Sequence, residues 1–168
     1  MGDTKTLAEL ADKQAISELI YRYCRAVDRL DVPLGHSIWH EDAWADYGEF
    51  YQGPGRGVID RICAQHLRAQ QHSHQVTNIL IDLDGDRAGS EAYCLAGLRI
   101  EREGVRSQMT VWSRYLDTWE RRDGHWGLTR RVTVRDFDEI REVREMQRDA
   151  RGSRDRNDPS YAVLRACQ

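Results

Sequence analysis

The stretch SHQVTNILIDLDGDRA, residues 73–88, decides how the rest of the chain is read. Upstream of it, apolar residues recur at three- and four-residue steps. From His72 the period shortens to that of a strand. His74 to Leu83 therefore reads as a strand, and Asp84-Gly85-Asp86 as a tight turn that sends the chain back on itself.

Forward of that turn the pattern repeats. Arg87 to Arg102 is a long strand with a turn near Gly104. Val105 to Arg121 is another, and Arg122-Asp123-Gly124 turns into a last strand, His125 to Arg135. Long strands in hairpin succession give an antiparallel sheet that must curve to bury one face. Past Asp136 the chain becomes charged. Phe137, Ile140, Val143 and Met146 are spaced as one face of a short helix, and residues 150–160 read as a mobile linker or tail.

Backward of the turn lie helices. Thr6-Leu-Ala-Glu9 has the form of a capping box. Ile16, Leu19, Ile20, Tyr23, Val27 and Leu30 follow as one buried stripe of a helix from Thr6 to Leu30. Tyr21, Cys24, Asp28 and Asp31 form a second stripe beside it, so Asp28 sits at the edge of the buried face. Pro33 and Gly35 break this helix. Residues 38–52 suit a helical turn followed by a strand or hairpin. Gly53-Pro-Gly-Arg-Gly57 is a connecting loop without the GKS/T of a phosphate loop. Val58 to Gln71 reads as a second helix, with Val58, Ile62, Cys63, His66 and Leu67 on one side. Helices first and strands afterwards is the α+β order. The division is one domain over 1–140 and a charged helix and tail over 141–168.

The composition excludes several functions. A formal net charge of −3 gives no case for nucleic acid or an anionic membrane as partner. No apolar run approaches the roughly 18 residues of a membrane helix. The N-terminus lacks the apolar segment of a signal peptide. Cys24, Cys63, Cys94 and Cys167 are scattered, with no zinc spacing, and read as reduced core fillers of a cytoplasmic protein. His72 and His74 share a strand face, so a metal pair completed by Glu41, Asp42 or His66 is one alternative.

Several segments together resemble the SnoaL-like branch of the nuclear-transport-factor-2-like superfamily, over roughly residues 7–140. They are AVDRLD at 26–31, the GPG loop, SHQVTNILIDLDGDRA, and YLDTWERRDGHW at 115–126. Hexachlorocyclohexane dehydrochlorinase, scytalone dehydratase and bile-acid 7α-dehydratase belong to that branch. The resemblance implies a cone-shaped α+β barrel. In it, N-terminal helices wrap a strongly curved antiparallel sheet around a deep, mostly apolar cavity. It implies catalytic roles for Asp28 and His74, with Arg131 (or Arg130) in the last strand. Tyr47 matches a tyrosine of scytalone dehydratase. The position of a dehydrochlorinase lysine holds Tyr23 here, which argues against chloride as the leaving group. No counterpart is found for the second histidine of scytalone dehydratase. Tyr23, Trp44, Trp112 and Tyr115 are expected to line the cavity and bind substrate.

The implied activity is that of a lyase with no cofactor and no metal. His74 serves as general base, oriented by Asp28, on a small hydrophobic or aromatic substrate. Isomerase or cyclase chemistry, or ligand binding without turnover, are the alternatives. A homotrimer or homodimer is expected.

Overall fold

The computed structural model describes residues 2–144 and 148–164. Helix α1 (Gly2–Arg29) leads into α2 (Val32–Ser37), β1 (Trp39–Asp46) and β2 (Gln52–Pro54). Then come α3 (Gly55–His66), β3 (Gln71–Asp84), β4 (Arg87–Arg102), β5 (Val105–Arg122), β6 (His125–Glu142) and α4 (Ser160–Val163). The strands form one six-stranded sheet in the order β2-β1-β6-β5-β4-β3. All neighbours are antiparallel except β1 and β6. The sheet is curved and unclosed, as an α+β cone requires. The core lies between it and α1 and α3. Ile16, Ile20, Tyr23 and Val27 of α1 and Val58, Ile59 and Ile62 of α3 are buried against Ala92, Cys94, Tyr115 and Trp119 of the strands.

The turns are where the sequence signals them. Glu103-Gly104 and Asp123-Gly124 each take two successive positive φ values, the pattern of a tight two-residue hairpin. Asn78 also takes a positive φ of 50°, at a bulge where the β3–β4 register shifts between Thr77 and Leu80.

Other expectations fail for physical reasons. Pro33 opens helix α2 rather than only breaking α1. Proline suits a helix's first turn, and Asp31 caps it by accepting from the Leu34 N–H at 3.2 Å. Gly35 is buried there against Ile59, and only glycine fits because a Cβ would lie 2.6 Å from Ile59 Cγ2. Residues 38–52 contain no helical turn; the helix precedes them. The GPGRG stretch is not a loop: Gly53-Pro54 end β2 and Gly55-Arg56-Gly57 begin α3, and Leu67 is exposed past the end of that helix.

The stretch after Asp136 is strand, not helix. Helical spacing at Phe137 and Ile140 loses to β5, which offers cross-strand partners as far as Ser107 opposite Glu142. Met146 and Cys167 lie outside the described residues. Residues 150–160, expected to be a linker, strap across the helix ends. Arg154 donates to the His66 and Ala69 carbonyls at 2.8 Å each, and Tyr161 donates to Asp31 at 2.8 Å. These partners are distant in sequence, so local composition does not reveal them.

Candidate active site

Asp28 stands in the last turn of α1. The helix ends in a Schellman arrangement: Leu30 adopts φ 54°, and the Asp31 N–H reaches back to the Ala26 carbonyl at 2.9 Å. His74 sits near the start of β3, in register with Ala96 of β4. The two side chains meet. His74 Nδ1 lies 2.7 Å from Asp28 Oδ1, and the His74 backbone N–H reaches the same carboxylate at 3.1 and 3.0 Å. Only 9% of the histidine and 14% of the aspartate side chain are exposed. A carboxylate can only accept, so Nδ1 carries the proton. Nε2 is the ring nitrogen left for other work.

His74 lines a cavity of about 620 Å³. Ile62, Leu98, Met109 and Val111 make it apolar, while Tyr23, Tyr47, His66, Ser113 and Tyr115 supply polar edges. The Tyr23 and Tyr47 hydroxyl oxygens are 2.7 Å apart. Burial raises both phenols above their ordinary values, and the Arg131 charge opposes it at each. Either hydroxyl of this pair can donate to the other. When Tyr23 donates, the Tyr47 proton is free for a ligand.

Arg131 is fully buried and does not line the cavity; it lies one layer beneath. Its Nε and Nη2 donate to the two oxygens of Asp117, each at 2.7 Å. The Tyr23 and Tyr115 rings flank its guanidinium at 4.2 and 4.0 Å. Burial works against this charge, but Asp117 and the surrounding phenols outweigh it, and Arg131 is held well above its ordinary value. Arg130 faces solvent, so Arg131 is the one of the two turned inward, beneath the cavity and not in its wall.

Asp28, His74, Tyr23, Tyr47 and Tyr115 are thus brought together. Trp44 and Trp112 are not. Val111 and Ser113 point into the cavity, so Trp112 between them points out, where it stacks on Phe137 at 4.7 Å. Trp44 is likewise half exposed between buried Ala43 and Ala45. Asp117 was missed as a partner for Arg131. Its signal was the alternation Tyr115, Asp117, Trp119, which aims a carboxylate inward, where it needs a counter-charge. The sequence places His66 on the packed side of the second helix and among possible metal ligands, but not among the cavity residues. His72 spends Nε2 on the Val27 carbonyl at 3.0 Å. Among the described residues no group of three or more His, Cys, Asp or Glu side chains is arranged to hold a metal. Burial pushes the Cys63 thiol up to about 11 and raises Cys24 and Cys94 as well, which disfavours thiolate chemistry.

A second, more polar cleft of about 480 Å³ borders Asp28 from the other side of β3, between Gln71, Ser73, Gln75 and the strap at Arg154. It reaches neither His74 nor the tyrosine pair.

The SnoaL-like domain family matches residues 8–132 of the chain. The chain belongs to the SnoaL-like family. This SnoaL-like chain is similar in structure to a hexachlorocyclohexane dehydrochlorinase of Novosphingobium barchaimii. The TM-score is 0.72 at 20% identity, over 86% of this chain and 99% of that one. A scytalone-dehydratase-like protein of Novosphingobium aromaticivorans gives a TM-score of 0.71 at 22% identity, over 89% of this chain and all of that one (100%). In sequence, the chain is 26% identical over 140 residues to an uncharacterized protein of Mycobacterium bovis, spanning 80% of this chain and 92% of that one. At these identities the solved structures establish the shared fold. Among the described residues no helix is long and apolar enough to cross a membrane.

Proposed function

We propose that the protein is a cofactor-independent lyase acting on a hydrophobic, ring-containing small molecule. The observation that carries this reading is the 2.7 Å Asp28–His74 bond at the wall of an apolar cavity. His74 Nε2 takes a proton from carbon, and Asp28 holds the ring and stabilises the imidazolium that forms. The electron pair of the broken C–H bond forms a double bond as a C–O bond breaks. Tyr47 hands its proton to the departing oxygen, which leaves as water. The proton on His74 then restores the phenol through solvent. Tyr23 and the buried Arg131 support transient negative charge on the Tyr47 oxygen. Tyr23 at the position of the dehydrochlorinase lysine fits an oxygen leaving group better than chloride. A departing carbon fragment is within reach of the same base.

The test is incubation with a panel of hydroxylated cyclic and aromatic compounds in deuterated water, followed by mass spectrometry. Loss of water that disappears in His74→Ala and falls in Asp28→Asn supports elimination. Deuterium uptake without mass loss points to isomerase or cyclase chemistry. Full activity in both variants sinks the base assignment. Assembly into a dimer or trimer belongs to the same reading. Its support is the outward-facing aromatic side chains of the sheet, exposed Tyr93 and Phe137 with Trp112 stacked on Phe137, and light scattering checks it. Three buried free cysteines suit a reducing, cytoplasmic setting.

A further inference from the structure

His66 has no part in the chemistry above, yet its position is unusual. It ends α3 and lines the same cavity as His74 and Tyr47, with only 7% of its surface exposed. Its ring stacks on His74, centroids 5.4 Å apart with planes at 29°, and packs on His72 at 4.3 Å. Its carbonyl is anchored by Arg154 at 2.8 Å, so the strap fixes the end of the helix that carries it. Its Nδ1 is buried without a hydrogen bond.

Burial, with the His74 and His72 rings beside it, pushes His66 down to about 3. The ring is therefore neutral under ordinary conditions, with one N–H and one bare nitrogen. The Val27 carbonyl, which holds His72 Nε2 at 3.0 Å, also favours a proton on the His66 ring. With Nδ1 unpartnered, that proton sits on Nε2 and Nδ1 is the bare nitrogen. This leaves a buried nitrogen that the protein does not use, on a side chain that lines the cavity and stacks against the proposed base.

We propose that His66 is a specificity residue that accepts a hydrogen bond from a hydroxyl group of the bound ring compound, holding that ring against His74. The inference rests on the reading that the cavity takes a ring-bearing small molecule, and it names a feature of that molecule. A ligand with a hydroxyl at this point satisfies the nitrogen. A methyl-bearing analogue of the same shape leaves it unpaired in a desolvated site, which is the stronger form of discrimination.

The experiment measures binding, so it is independent of turnover. 2-Naphthol and 2-methylnaphthalene, near-isosteric bicyclic probes, are titrated into the full chain by calorimetry. The wild type is expected to bind 2-naphthol roughly tenfold more tightly. His66→Phe keeps a flat ring against His74 but removes the nitrogen. It should bind both probes about equally, and at the wild-type affinity for 2-methylnaphthalene. His66→Gln, which restores an acceptor, should recover part of the preference. A tenfold preference that persists in His66→Phe overturns the inference, as does a wild type without preference. In either case the elimination chemistry stands, because His74→Ala tests that separately. If His66→Phe does not fold, nitrogen-15 NMR of the wild type decides. One His66 nitrogen should move from the bare to the hydrogen-bonded range on adding 2-naphthol, and an unmoved signal overturns the proposal. Failure of both probes to bind overturns it together with the ring-compound reading.

Discussion

Asp28–His74 and Asp117–Arg131 are two pairs with the same shortest contact, 2.7 Å, and both face the helix-covered side of the sheet. They differ in access and in partner. The first is partly reachable and borders the cavity through His74. The second is fully buried, with 0% exposure for either side chain. Imidazole gives up and takes back a proton near neutrality. A guanidinium does not. Burial raises Asp117, against the pull of Arg131, and the arginine does not release its proton. So the first pair suits the proposed proton transfer, and the second keeps a fixed charge beneath Tyr23 and Tyr47. A short contact says little about role until partner type and access are known.

The comparison can be broken experimentally, and the largest effect is expected at the reachable pair. His74→Ala should lower turnover by about 10² to 10⁴-fold while the melting temperature barely moves. A comparable loss of melting temperature would make His74 structural instead. The sealed pair should behave in the opposite way. Asp117→Asn leaves an uncompensated buried cation and should cost about 3–5 kcal/mol, which lowers the melting temperature by roughly 10 °C. Replacing both partners with apolar residues, Asp117→Leu with Arg131→Met, should regain most of that stability. It should not regain turnover, because Tyr47 loses its supporting charge. If the double variant is as active as the parent, Arg131 is a packing element only.

Tyr47→Phe lies between the two pairs and should reduce turnover by roughly 10²-fold, with little change in unfolding by denaturant. The last test concerns acid stability. His66 titrates at about 3 in the folded chain and near 6.5 when unfolded, and burial lowers His72 as well. As pH falls below about 6.5, the unfolded state takes up protons that the folded rings refuse, so stability declines progressively towards pH 3. Melting curves across that range should be flatter for His66→Phe than for the parent. An unchanged slope would mean that His66 is protonated in the folded protein.

Much of this molecule was legible along the chain. The buried stripe of α1, the strands from His74 onward, and the turns at Gly85, Gly104 and Gly124 follow from periodicity and from the glycine-rich turn chemistry. Both are short-range properties. The proximity of Asp28 to His74 was legible through resemblance, not spacing, since 46 residues separate them. What stayed hidden was set by partners far away in sequence. Phe137 and Ile140 carry helical spacing, but β5 lay ready to pair with them. Residues 150–160 look like a solvated tail, but α1, α2 and α3 hold acceptors and counter-charges for Arg154, Asp158 and Tyr161.

The sequence by itself determined an α+β chain with an amphipathic first helix, a meander of long strands, and a histidine and an aspartate suited to proton transfer. Only the tertiary structure decided which side chains share a wall. It turned Trp112 outward and Arg131 inward, and joined Arg131 to Asp117. It also stacked His66 on His74. The physical reason is that a strand alternates faces at every residue. A single step of register, set by pairing across the sheet, chooses between cavity and solvent.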